Sequence, residues 1–370
     1  MIIGLPKEIK DGERRVALTP DAIALLVAAG HSLRVENSAG AGCGFSDAQY
    51  AAAGADMVNS AAKAFDAELV VKVKEIQSGE WQLLNPGGML FSFLHLGADA
   101  FMAHELLARR ITGIAFETVE DASKRLAILA PMSVIAGELA ILIAANLLMT
   151  SHGGRGVAIA DARTVILGAG SAGAAAARTA IALGADVSVI SRVGPRLAAL
   201  AHQLGSSART MAMHPSTAVE TIKGADVVIG AVNVPGTATP KLLTRDNVRA
   251  ITAHNGPGAV LIEICIDAGG IAETSRPTYH SAPTYVEEGV THYCVANIPA
   301  GVPRSASLAL SAAILPYVTA LAGKGLTRAL RDEDGLAAGL QIHGGQVTHP
   351  AIARELKRPH RDLDAMLFSC

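Results

Sequence analysis

The chain has 370 residues, 50% of them hydrophobic and only 4% aromatic, and a net charge of −2. That length suits two domains with cores of Ala, Val, Leu and Ile. The near-neutral charge excludes the basic footprint of a nucleic-acid-binding protein and the polybasic patch of a membrane-surface protein. Cys43, Cys265, Cys294 and Cys370 have no paired spacing for zinc or redox chemistry, so no metal is expected. Free thiols in a chain that opens on a strand predict a cytoplasmic protein.

In chain order, residues 2–5, 33–35, 69–72 and 89–93 read as strands. Helices at 20–29, 46–53 and 101–109 lie between them, and 114–115 opens a further short strand. Such alternation implies a parallel sheet with helices on its faces. An apolar helix follows at about 132–150. Its longest apolar tract, 139–149, is short for a membrane span and abuts Glu138, which predicts a buried helix and no membrane partner. A second alternating unit has strands at 164–167, 187–190, 227–230, 260–264 and 293–295. From about residue 300 the pattern is helical again, at 306–321 and 326–331, with too few strands for a third domain. This segment is expected to pack back on the first domain.

Residues 165–173 carry the motif that gives the second unit a purpose. A buried strand runs into Gly168-x-Gly170-x-x-Gly173 and then an Ala-rich helix, the context of a dinucleotide-binding fingerprint. Gly168 allows the tight turn, Gly170 lets backbone approach a pyrophosphate, and Gly173 lets helix and strand pack closely. The pyrophosphate would rest on the helix N-terminus, at Ser171 and Ala172, where the dipole favours negative charge. The expected architecture is therefore α/β with two domains, each a mainly parallel sheet flanked by helices. Residues 1–130 plus 300–370 would form a discontinuous substrate domain, and 131–299 a Rossmann-type doubly wound NAD(P)-binding domain.

In such a fold a carboxylate about 20 residues past the first glycine accepts the ribose hydroxyls of NAD. Here the second strand ends on Ser191 and Arg192, with Arg196 shortly after, and no acid is present. Ser and Arg can donate to a 2′-phosphate through charge-assisted bonds worth roughly 1.5–3 kcal/mol. NADP(H) is expected to be favoured, with NAD(H) the alternative.

Segments of the first unit decide the chemistry. Glu13-Arg14-Arg15-Val16-Ala17-Leu18-Thr19-Pro20, Val71-Lys72-Val73-Lys74-Glu75 and Phe91-Ser92-Phe93-Leu94-His95-Leu96 strongly resemble the alanine dehydrogenase family. So do Ala130-Pro131-Met132-Ser133, Ile266-Asp267-Ala268-Gly269-Gly270, Ser275-Arg276-Pro277-Thr278 and Tyr293-Cys294-Val295-Ala296-Asn297. The matches keep family order from residue 4 to about 320. Transhydrogenase α subunits look similar at the start but lack the histidine of Phe-Leu-His-Leu.

The resemblance implies substrates that are small amino acids, their 2-oxo acids and ammonia. Arg15 would fix the carboxylate, because a planar guanidinium does so bidentately. Lys74 would polarise the carbonyl oxygen, and His95 would shuttle protons. Asp267 would orient water or ammonia and balance the positive charge. Ser133, Val232, Asn233 and Asn297 would surround the nicotinamide and its ribose, by motif position. The same resemblance implies a homo-oligomer, a hexamer.

Each residue also has a plainer reading: Arg15 a solvated surface residue, His95 a turn histidine, the Lys pair a blunted sheet edge, and Asp267 a turn residue before two glycines. Their co-occurrence at strand ends favours the catalytic reading. Ser191, Asn233 and Thr237-Ala238-Thr239 depart from the family pattern, and Asn233 leaves room for a substrate other than alanine. The expected reaction is reversible oxidative deamination of L-alanine. The alternatives are an imine reductase joining another 2-oxo acid to an amine, a soluble transhydrogenase-like nucleotide-binding subunit, and an NADPH-binding protein without catalysis.

Overall fold

A computed structural model describes residues 1–232 and 239–363. The chain forms two compact units, Met1–Met132 with Val302–Cys370, and Ser133–Gly301. The first boundary falls inside the helix Leu129–Leu147.

The first unit opens with β1 (Ile2–Leu5), β2 (Ser32–Glu36), β3 (Asp56–Val58), β4 (Leu69–Val71), β5 (Met89–Ser92) and β6 (Thr112–Ala115). All six pair in parallel, in the order β6-β5-β4-β1-β2-β3. Winding therefore reverses between β1 and β4. The central strands are unbroken apolar runs because helices cover both faces of the sheet, so no side can be polar. Val70, Leu90 and Ile342 share one buried cluster with Leu106 and Phe65.

The second unit contains β7 (Arg163–Leu167), β8 (Asp186–Ser191), β9 (Ala208–Ala212), β10 (Val227–Gly230), β11 (Ala259–Glu263), β12 (Thr284–Glu287) and β13 (Val290–Tyr293). Their order is β12-β13-β11-β10-β7-β8-β9, parallel except for the hairpin of β12 with β13. Successive residues of β7 and β10 divide between two clusters. Ile166, Val227 and Ile229 face one way, and Val165, Leu167 and Val228 the other.

The chain then returns to the first sheet. The strands β14 (Leu340–His343) and β15 (Gln346–Val347) extend it beyond β6, both joined antiparallel. The sequence reading had no strands after residue 300. The helix Leu129–Leu147 is also longer than the apolar tract that was judged short. It and Pro303–Lys324 are long and apolar enough to cross a membrane by length and composition alone. Both contribute to cores, through Ala136, Ala140, Ile141 and Ala144 on one and Leu310, Ile314, Val318 and Leu321 on the other.

Candidate active site

Open parallel sheets bind ligands beyond the carboxyl ends of their strands, where the winding reverses. In the first unit that place lies past β1 and β4. The segment after β1 brings Glu8, Glu13 and Arg15, and the segment after β4 brings Lys72 and Lys74.

Arg15 is only 2% exposed, which removes its reading as a solvated surface residue. Its Nε and Nη2 donate to Glu13 Oε1 and Oε2 at 2.8 and 2.7 Å. Burial opposes the charge on Glu13, but Arg15 and Lys74 outweigh it and hold the carboxyl at about 2. Nη1 reaches Met132 Sδ at 3.3 Å. One edge of the guanidinium is thus committed to the protein.

The two lysines differ in kind. Lys72 is fully buried just past the end of the central strand β4, so it does not blunt an edge; its Nζ donates to Glu80 Oε2 at 2.8 Å and lies 3.5 Å from Glu8 Oε2. Burial disfavours its ammonium, but Glu8 and Glu80 raise it above the ordinary lysine value. Lys74, also buried, donates its backbone N–H to Glu8 Oε1 at 3.4 Å, beside Val73 N–H at 2.5 Å. Burial pushes Glu8 up to about 7; Lys72 and the Val73 amide pull it down, and Glu13 and Glu80 push it up. Glu8, Glu13 and Arg15 line a cavity of about 450 Å³ together with Arg14, Ser38 and Gly42.

His95 leaves β5 half-buried, with its backbone in the left-handed region at φ 50°. Its ring lies parallel to Phe93, with centroids 6.0 Å apart. Its N–H donates to Glu117 Oε1 at 2.8 Å.

In the second unit the three glycines of the loop have separate reasons to be glycine. At Gly168 (φ 120°) a Cβ would lie 2.3 Å from Ala231 O, and at Gly173 it would lie 1.9 Å from Gly168 O. Both are close approaches of backbone to backbone. Gly170 is extended, and a Cβ there would meet nothing within 4 Å. That open space stands at the N-terminus of the helix Ser171–Ala182, whose first N–H groups lack intrahelical partners. A dinucleotide pyrophosphate fits this cradle. Ser191 is half-buried at the end of β8; Arg192 and Arg196 are exposed and form no hydrogen bond or ion pair with the described residues.

Asp267 is exposed on the turn Ile266–Ala268 after β11, followed by Gly269 and Gly270, both with positive φ. Glu263, buried at the end of β11, anchors this loop. Its Oε1 accepts from Ile271 N at 2.8 Å, Ala272 N at 3.0 Å and Ser275 Oγ at 2.5 Å. Burial raises the Glu263 pKa, against those hydrogen bonds. Thr239 ties the loop to the segment after β10, donating its N–H to Ala268 O at 2.7 Å and its hydroxyl to Val232 O at 3.3 Å. Asn297 follows β13 at φ 72°, its carbonyl oxygen 3.3 Å from His280 Nε2, and Ser133 is half-buried in Leu129–Leu147. Asn233 lies outside the described residues. Sequence reasoning gave no role to Glu8, Glu13, Glu117 or Glu263. Their signal, an acid just beyond an apolar strand, looks the same as that of a turn residue.

A glycine-loop cradle on one doubly wound sheet, and buried Arg15 and Lys74 with half-buried His95 past the strand ends of another, define a dinucleotide-dependent oxidoreductase. The chain belongs to the alanine dehydrogenase/PNT family, matching its N-terminal domain over residues 4–136 and its C-terminal domain over 140–350. It is 45% identical over 360 residues to an alanine dehydrogenase of Halomonas elongata, covering 95% of this chain and 96% of that one. An alanine dehydrogenase of Mycolicibacterium smegmatis is 42% identical over 98% of each chain. Among solved structures, an L-alanine dehydrogenase superimposes with a TM-score of 0.90 at 40% identity, over 96% of this chain and 99% of the other. A transhydrogenase from Sinorhizobium meliloti gives 0.78 at 25% identity, over 95% and 100%.

Proposed function

We propose that the protein catalyses the reversible oxidative deamination of L-alanine with water and NAD(P)⁺, giving pyruvate, ammonium and NAD(P)H. The observation that carries this reading is Arg15, a buried guanidinium held on one edge by Glu13, with Lys74 close enough to stabilise the same carboxylate. In the aminating direction the guanidinium of Arg15 takes the carboxylate of pyruvate. Lys74 places positive charge on the carbonyl oxygen, where negative charge grows as ammonia adds. His95 donates a proton to that oxygen, regains one from the nitrogen that ammonia has added, and passes it to the hydroxyl that leaves the carbinolamine as water. Asp267 orients ammonia or water.

The nicotinamide, when bound, delivers or accepts the hydride at the substrate Cα. For its dinucleotide this chain offers Gly168, Gly170 and Gly173 with the amides of Ser171 and Ala172; Ser133, Val232 and Asn297 hold the nicotinamide end. Exposed Arg192 and Arg196 beside Ser191, with no hydrogen bond or ion pair among the described residues, support NADP(H) over NAD(H). Described cysteines Cys43, Cys265 and Cys294 are free thiols, which supports a cytoplasmic location, and we extend the proposal to a homo-oligomer.

The test is a rate matrix of several 2-oxo acids with ammonia, run with NADH and NADPH in parallel. Pyruvate with NADPH is expected to give the highest kcat/KM. A preference for a larger amine over ammonia, or no turnover of pyruvate with either cofactor, overturns the reading.

A further inference from the structure

Non-glycine residues in the left-handed region cost on the order of 1 kcal/mol and persist only where the surroundings over-determine them. His95 is such a residue, at φ 50° and ψ 34°. What holds it comes from the neighbouring strand. The turn Phe116–Thr118 follows β6, and β6 pairs with β5. From that turn Glu117 spans two consecutive amides, accepting from Leu94 N at 3.1 Å with Oε2 and from His95 N at 2.8 Å with Oε1. Gln341 on β14 stands behind it, with Nε2 3.5 Å from Glu117 Oε1 and 3.4 Å from Thr118 Oγ1.

Only a carboxylate has two equivalent acceptors for such a pair of N–H groups. A glutamine would point its own NH₂ at one of them. Elsewhere a single carboxylate oxygen takes two consecutive amides, as Glu8 Oε1 does from Val73 and Lys74 and Glu263 Oε1 from Ile271 and Ala272; Glu117 divides its pair between both oxygens. At Glu117 the gripped residue is itself the proton-transfer group, in a backbone conformation that needs holding.

We propose that Glu117 is a positioning residue for His95, its two carboxylate oxygens fixing the left-handed turn from which the imidazole projects. This rests on the reading of His95 as the acid–base group. The carboxylate itself does not exchange protons with substrate in this role; it sets where the ring stands. Misplacing a catalytic group by about 1 Å can cost a hundredfold in rate.

The experiment compares Glu117→Gln, Glu117→Asp, His95→Ala and the double variant His95→Ala/Glu117→Gln, with rates expressed per nucleotide-binding site so that unfolded protein is not counted. Glu117→Gln and Glu117→Asp are both expected to lower kcat for pyruvate amination by about ten- to a hundredfold. The shorter Asp keeps the charge but cannot span both amides. KM for pyruvate and the dissociation constant of the cofactor should stay within about twofold. In the His95→Ala background, Glu117→Gln should have no further effect, because there is no imidazole left to position. Equal fractional losses in both backgrounds would mean general damage and overturn the proposal. So would loss in Gln but not in Asp, which marks charge and not reach as the cause. Near-native turnover in His95→Ala overturns the acid–base reading beneath it.

Discussion

Arg15 has two tasks that a simple truncation would confuse. Removing it takes the guanidinium partner from the buried Glu13 carboxylate, and breaking a buried pair in that way costs about 3–5 kcal/mol. Arg15→Lys is the cleaner variant, since it keeps the charge and loses the fork. We expect a rise in KM for pyruvate of about tenfold or more, from the loss of a charge-assisted bond worth roughly 1.5–3 kcal/mol, with cofactor affinity unchanged. Unaltered pyruvate kinetics in a folded Arg15→Lys protein would remove Arg15 from the site. At the cofactor end, Ser191→Asp should move preference from NADPH toward NADH, through repulsion of the 2′-phosphate and a new acceptor for the ribose hydroxyls. If kcat/KM for NADPH is untouched by this change, Ser191 does not face the ribose. The proposed catalytic residues were legible because they stand in short motifs. Their carboxylate supports were not, because Glu8 grips an amide 65 positions away and such a contact leaves no pattern along the chain.

Among the elements, the buried parallel strands announced themselves as apolar runs bounded by glycines and helices. The strands β3, β9 and β12 were missed because they are part-exposed, so no unbroken apolar run marks them. The β14 strand was missed because polar Gln341 sits in its middle, fully buried for its contacts with Glu117 and Thr118. The glycine loop was legible in full, and its three positions can now be separated by experiment. Gly173→Ala would force a methyl onto the Gly168 carbonyl and should destabilise the helix–strand contact, lowering the melting temperature. Gly170→Ala meets no protein atom and has an ordinary backbone conformation, so stability should be unchanged. Its added methyl would instead fill the space a pyrophosphate needs, weakening dinucleotide binding by about tenfold or more, as steric overlap in a fitted site does. Titration of cofactor fluorescence together with a melting curve distinguishes the two. Retained affinity in Gly170→Ala would mean the pyrophosphate lies elsewhere.

At the scale of the whole molecule, the buried Glu8 and Glu13 and the half-buried Glu75 of the first unit give stability an opposed response to pH. Glu13 and Glu75 sit at about 2 when folded, against an ordinary 4.5, so the unfolded chain takes up their protons first. Their contribution is present above about 4.5 and is lost as pH falls toward 2. Glu8 works the other way, at about 7 against 4.5. Between those values the folded protein keeps a proton the unfolded chain has released, so this contribution is complete below 4.5 and is lost as pH rises through 7. Urea unfolding at a series of pH values should therefore show the Glu8 loss on the neutral side. Glu8→Gln should flatten that side and leave the acid side alone. An unchanged neutral slope in the variant would remove Glu8 as its source.

The return of the chain to its first sheet sets an order on biosynthesis. Every residue of the unit Ser133–Gly301 has left the ribosome before β14 exists, so that unit has all it needs to close its core while the other still lacks a strand. Domains commonly fold in the order they emerge. Here the segment made first is completed last, and β6 waits with an unpaired edge until Leu340–His343 arrives against it. Gln341 comes with that strand. The Gly168–Gly173 loop is thus made well before Gln341 can reach Glu117, and on the role proposed for Glu117 competence for chemistry would follow the loop that is proposed to hold the cofactor.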